Sequence, residues 1–122
     1  MPLARDMMQG GTSAGQARAL NGQFNTSITA AGTAISDATD LLTSTNVITT
    51  AAASSGVQLP TAQIGDQVDI LNLGANAVTV YPDAAANRIN ALSAGTGFSL
   101  GMNSSCILRK FTSTRWMAYL SA

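Results

Sequence analysis

Gly74-Ala-Asn-Ala-Val-Thr-Val-Tyr-Pro82 sets two turn formers between an apolar run, Val68 to Leu73, and an alternating run, Val78 to Tyr81. Gly74 and Asn76 tolerate the positive φ angles of a tight reversal. The flanking β-branched residues suit a pleated surface, so the segment predicts a β-hairpin formed by residues 67–73 and 77–81.

Outward from this stretch the chain reads as short β segments punctuated by turns. Asn46 to Thr50 and Val57 to Leu59 flank the small-residue turn Ala53-Ser-Ser-Gly56, and Pro60 ends the second of them. Arg88 to Ala91, Phe98 to Leu100, Cys106 to Phe111 and Trp116 to Leu120 follow, each behind a loop or turn. Residues 33–43 fit either a helical stripe (Ile35, Ala38, Leu41, Leu42) or a strand, and strand is the reading adopted. Strands at such regular spacing indicate an all-β fold, a compact β-sandwich or jelly-roll-like domain over residues 33–122.

Residues 1–32 differ in kind. They hold five of the eleven glycines and few apolar anchors. Such a segment offers little apolar area against its ordering entropy. It reads as an extended N-terminal arm that is either a plain tail or orders on a partner. Leu20, Phe24 and Ile28 recur at every fourth position and are its candidate contacts, with Leu3 and Met7 second.

Several strands are apolar on both faces. Val68 and Ile70 point one way and Leu71 and Leu73 the other; Trp116 and Leu120 oppose Met117 and Tyr119. One face fills the domain core. The second needs another layer or another subunit, which makes Leu71, Leu73, Trp116, Met117 and Tyr119 candidates for core or subunit interface.

The charge inventory limits function. Six Lys/Arg balance six Asp, and only 10% of residues are charged, against about 25% in typical domains. A neutral chain lacks the basic face that nucleic acid demands. Arg109, Lys110 and Arg115 cluster, which fits a solvated strand rim better than a phosphate site. There is no His and no Glu, so triads built on histidine are impossible and no enzyme is expected. Asp66 follows Gly65 ahead of a strand and reads as a turn residue. Asp83 with Asn87 is the one pair that suggests a calcium ligand set, and neither metal nor cofactor is expected. Tyr81 and Trp116 read as packed anchors rather than sugar platforms. The single Cys106 excludes an internal disulfide and reads as a small buried hydrophobe. No 18-residue apolar run suggests a membrane span, and the first residues lack the apolar core of a signal peptide, so synthesis in the cytoplasm of the producing cell is expected.

Asn46-Val-Ile-Thr-Thr50, Gly56-Val-Gln-Leu-Pro60, Gly65-Asp66, Gly74-Ala-Asn-Ala-Val78, Val80-Tyr-Pro82, Ile89-Asn90, Phe98-Ser-Leu100 and Trp116 together resemble a β-domain of tailed-bacteriophage virion proteins. The resemblance spans roughly residues 33–121 and rests on turns and strand residues rather than on chemistry. It implies a capsid decoration (cement) protein on the outer capsid surface, bound to the major capsid protein, or alternatively a small fibre, tail or spike module that contacts a receptor or glycan. The short chain without a repeated shaft fits decoration better. The two-faced strands and the low charge lead to the expectation of a homotrimer.

Trp116 is the largest side chain in the last strand, so it tests the packing argument directly. Trp116→Ala is expected to lower unfolding free energy by about 3–5 kcal/mol; an unchanged urea midpoint would place the ring at the surface instead.

Overall fold

The computed structural model describes residues 24–121, which form ten strands and, among these residues, no helix. In chain order they are β1 (Phe24–Ala30), β2 (Thr39–Asp40), β3 (Thr45–Ala51), β4 (Gly56–Gln58), β5 (Gln67–Asn72), β6 (Val78–Tyr81), β7 (Arg88–Ile89), β8 (Phe98–Leu100), β9 (Ser104–Thr112) and β10 (Arg115–Leu120). The fold is all-β. The strands lie in two sheets, one ordered β1-β3-β5-β9-β10-β7 and one ordered β2-β4-β6-β8.

The winding is the unexpected feature. From β1 to β6 the chain alternates between the sheets, so each strand lands beside the one two steps earlier. β1, β3 and β5 pair in parallel, as do β2, β4 and β6. This is a solenoid-like coil, unlike the antiparallel order of a jelly roll. Three of the remaining strands close its far end in the opposite sense, β8 antiparallel to β6, β9 to β5 and β10 to β9, while the two-residue β7 lies parallel to β10 at the edge of the larger sheet.

Residues 67–81 therefore do not form the hairpin predicted above. β5 and β6 sit in different sheets, and the segment between them is a corner. Its geometry comes from Asn72, fully buried at the end of β5. The Asn72 side chain donates to the carbonyls of Asn76 (2.9 Å) and Leu100 (3.0 Å) and accepts from the Gly74 N–H at 2.9 Å. Asn76 donates to the Ala51 carbonyl at 2.9 Å. Side-chain amides thus supply hydrogen bonds that a hairpin ladder would have supplied. Gly74 lacks a positive φ. It is glycine because a Cβ there would meet the Ala51 Cβ at 2.6 Å. The turn between β3 and β4 is likewise a corner, with Ser54 at φ 62°.

Residues 33–43 also depart from the strand reading. Only Thr39–Asp40 pairs, beside Val57 and Gln58 of β4. Ahead of it the Asp37 carboxylate accepts the N–H groups of Thr33 (3.1 Å) and Ala34 (2.9 Å), which winds the backbone into a turn. Gly32, at φ 80°, starts that turn. Conversely, β1 lies within the stretch assigned above to the arm: Ile28 and Ala30 are buried, with Ile28 beside Ile48 of β3. Phe24 and Ile28, four residues apart, thus lie on one strand, where pairing with β3 rather than contact with a partner accounts for the buried Ile28.

A single core fills the space between the sheets. Ile28, Ile48, Val68, Ile70, Leu108 and Trp116 come from the larger sheet, and Leu41, Val57, Val78, Val80 and Leu100 from the smaller. The period-two burial of β5 shows why: Val68, Ile70 and Asn72 are buried while Gln67, Asp69 and Leu71 are only half-buried.

Gly74→Ala is expected to destabilise the domain by about 1–3 kcal/mol, since the methyl group has no space beside Ala51. A chemical-denaturation midpoint equal to that of the unmodified chain would show that the corner yields freely.

Candidate functional site

Two places concentrate features beyond routine packing. The first is the outer face of the larger sheet. Because β9 alternates, Cys106, Leu108 and Lys110 point into the core and Ile107, Arg109 and Phe111 point out. Register then builds rows across strands: Tyr119 beside Ile107 beside Asp69, Met117 beside Arg109 beside Gln67, and Ser105 beside Leu71 beside Val47. Tyr119 is 60% exposed and Ile107 44%. These are large, largely apolar side chains held in solvent on the sheet's outer face. A groove of about 270 Å³ runs along this face, lined by Val47, Asp69, Leu71, Ser105 and Ile107 among others. Gln67 links its two charges: it accepts from the Arg109 guanidinium at 2.7 Å and donates to the Asp69 carboxylate at 3.1 Å.

The candidate interface residues separate on this surface. Leu71, Met117 and Tyr119 share the outer face, Leu71 half-buried and the other two exposed. Trp116 does not join them; it is fully buried in the core. Leu73 is 50% exposed at the corner after β5. Of the candidate arm contacts, Phe24 is exposed at the start of β1, and Ile28 is a core residue. Leu3, Met7 and Leu20 lie outside the described residues.

The second place is a buried ionic cluster between the sheets. Asp83, just past β6, meets Lys110 of β9 at 2.7 Å, with the two side chains 4% and 7% exposed. Its other carboxylate oxygen accepts from Asn87 Nδ2 (2.6 Å) and Trp116 Nε1 (3.0 Å). Lys110 also donates to the Ala62 carbonyl at 2.9 Å, and its ammonium lies 5.8 Å from the centre of the Trp116 ring. Both carboxylate oxygens and the ammonium thus have hydrogen-bond partners, which is the condition for a buried pair to persist. The pair that suggested a calcium site is accordingly satisfied from within: the Lys110 ammonium occupies the position a cation would take. Among the described residues no group of three or more His, Cys, Asp or Glu comes together.

Burial raises the Asp83 pKa, but hydrogen bonds from Lys110, Asn87 and Trp116, with the charge of Lys110, outweigh it and hold the carboxyl below its usual value. Burial pushes the Cys106 thiol the other way, up to about 12, with nearby Asp69 adding to the effect. This thiol remains protonated and packs as an apolar group.

The remaining sequence candidates have structural employment. Asp66 accepts the Gln63 N–H at 2.9 Å, as a turn aspartate should. Tyr81 donates its hydroxyl to the Thr33 carbonyl at 3.2 Å. Lys110 leaves the basic cluster by turning inward, while Arg109 stays exposed and Arg115 half-buried. Sequence reading missed a cleft of about 510 Å³ bounded by Leu42, Pro60, Ala62, Asp66, Val68 and Arg109. Its walls come from separate loops and strands, so no local motif marks it. Searches of protein-family models, curated proteins and solved structures returned no match to this chain.

The cluster predicts an acid response. The folded-state pKa of Asp83 lies below its unfolded value of about 3.9, so its contribution is present above that pH and is lost as pH falls through the folded value. Asp83→Asn is expected to destabilise the domain at neutral pH, with the gap to the unmodified chain narrowing below about pH 4. Lys110→Met, which strands a buried carboxylate, is expected to cost about 3–5 kcal/mol at neutral pH. Chemical unfolding at several pH values reads both; a pH-independent gap for Asp83→Asn would remove the ion pair from the account.

Proposed function

We propose that the protein is a non-catalytic structural component of a bacteriophage virion, a capsid decoration protein that binds the major capsid protein on the outer surface as a homotrimer. The observation that carries this reading is the exposed apolar outer face of the larger sheet. Leu71, Ile107, Met117 and Tyr119 are presented on a surface with few charges, in a chain whose total charge content is 10%. Large exposed apolar patches on rigid sheets mark surfaces for association. Burying this face against copies of the chain satisfies the second apolar face that the strand sequences carry. The resemblance of residues 33–121 to virion β-domains supplies the setting.

The coil-by-coil winding supports a second reading, a fibre, tail or spike module that contacts a receptor or glycan. Parallel coils stack end on end, and that geometry suits an extended appendage.

Apolar burial is only weakly screened by salt. Light scattering at micromolar concentration is expected to give a trimer mass that persists in high salt, and Tyr119→Asp with Ile107→Asp to give a monomer with unchanged far-ultraviolet circular dichroism. A monomeric unmodified chain would overturn the oligomer. Failure of the trimer to bind undecorated heads would move the function to the appendage reading.

A further inference from the structure

Asp83 holds a different nitrogen group on each oxygen of its carboxylate. Lys110 Nζ donates to Oδ2 at 2.7 Å. Asn87 Nδ2 donates to Oδ1 at 2.6 Å. An amine and a primary amide thus flank one carboxylate, and all three side chains belong to buried residues. These are the parts of an amide-exchange reaction: a nucleophilic nitrogen, a carbonyl carbon bearing a nitrogen leaving group, and a group that carries protons between them.

The surroundings hold each part in place. The Ala62 carbonyl accepts from Lys110 Nζ at 2.9 Å, and the Trp116 indole N–H donates to Asp83 Oδ1 at 3.0 Å. Backbone bonds fix Asn87: its N–H donates to the Ala84 carbonyl at 3.0 Å, and its carbonyl accepts from the Gly95 N–H at 2.9 Å. Well-oriented groups within one molecule react with effective molarities of about 10⁵–10⁸ M. Asp83 also lines a cleft of about 420 Å³ with Gln58, Leu59 and Pro60, which gives a small product a way out.

We propose that Lys110 and Asn87 join through an intramolecular amide bond, formed once per chain with Asp83 as the acid–base catalyst. Asp83 Oδ2 takes a proton from the Lys110 ammonium. The freed Nζ lone pair adds to Cγ of Asn87, moving along the carboxylate from one oxygen toward the amide on the other. Asp83 passes its proton to Nδ2 and receives a second proton from Nζ. The Cγ–Nδ2 bond breaks, ammonia leaves, and Asp83 remains as a neutral carboxylic acid beside the new amide.

The step replaces a buried ion pair by neutral groups, which relieves the desolvation of two charges. It is slow, because hydrogen bonds and the Lys110 charge hold the carboxylate in its ionised form. The ion pair and its acid response described above belong to the chain before this step. The bond ties β9 to the residue that precedes β7 and constrains the unfolded chain as a disulfide would; the single Cys106 permits no internal disulfide. The inference is independent of the virion reading.

Mass spectrometry of the full-length protein tests it. After a week at neutral pH and room temperature, most folded molecules are expected to have lost the mass of one ammonia. A protease digest is expected to yield a branched peptide joining Asn87 to Lys110. The same chain kept unfolded in urea is expected to retain its full mass. So are Lys110→Arg, which keeps a cation beside Asp83 but removes the amine, and Asn87→Ala, which removes the carbonyl carbon. The branched peptide is sought in the unmodified protein, so the test does not depend on either variant folding. An unchanged mass in the folded, unmodified protein would overturn the proposal. Ammonia loss without the branched peptide would do the same, as would loss that persists in Lys110→Arg, because the asparagine would then have closed on its own backbone. Loss of water in place of ammonia would overturn it too, with the lysine joined to Asp83 instead.

Discussion

The carboxylate of Asp83 is the one charged side chain of the smaller sheet's elements that links the two sheets through their shared core, among the described residues. It leaves the smaller sheet after β6 and receives donors from β9 and β10 of the larger, with Asn87 completing the set. A charge this deep is tolerated only because Lys110 neutralises it and hydrogen bonds use the remaining acceptor capacity. The same contacts orient the Trp116 ring, which the core then packs around. The pair thus joins elements from different sheets.

The corner amides do comparable work at the ends of the coils. Asn46 and Asn72 are both buried. Asn46 donates to the carbonyls of Thr43 (3.0 Å) and Asp69 (3.2 Å), so it ties the start of one coil to the next. A parallel winding requires the chain to leave one sheet and enter the other at each corner, where strand ladders end and backbone groups would otherwise go unpaired. Asparagine can both donate and accept at such a point, and each buried side-chain polar atom among the described residues has a partner. The solenoid-like order is thereby stabilised at its most vulnerable positions.

The inner face and the outer face of the larger sheet then have different consequences. Inward residues are constrained by dense packing. Outward residues such as Ile107 and Tyr119 contribute little to the core yet remain large and apolar. That combination is difficult to explain by folding alone and is the physical basis for reading the face as an assembly surface.

Alternation along Val68 to Leu73 and along Cys106 to Phe111, together with the turn residues between segments, was enough to establish an all-β chain and most strand positions. These are local properties, set by the pleat and by backbone preferences. The pair Gly74 and Asn76 marked where the chain turns but not why: neither has a positive φ, Gly74 is there for its close approach to Ala51, and Asn76 donates to the Ala51 carbonyl, so the next strand enters the other sheet through contacts distant in sequence. Asp83 and Asn87 looked like cation ligands, and only folding brought Lys110, remote in sequence, to serve as the cation. Trp116 and Tyr119 are three residues apart and equally aromatic, yet one is core and one is surface. Strand periodicity placed them on opposite faces; the packing of the second sheet on one of those faces, a tertiary event, decided which is buried.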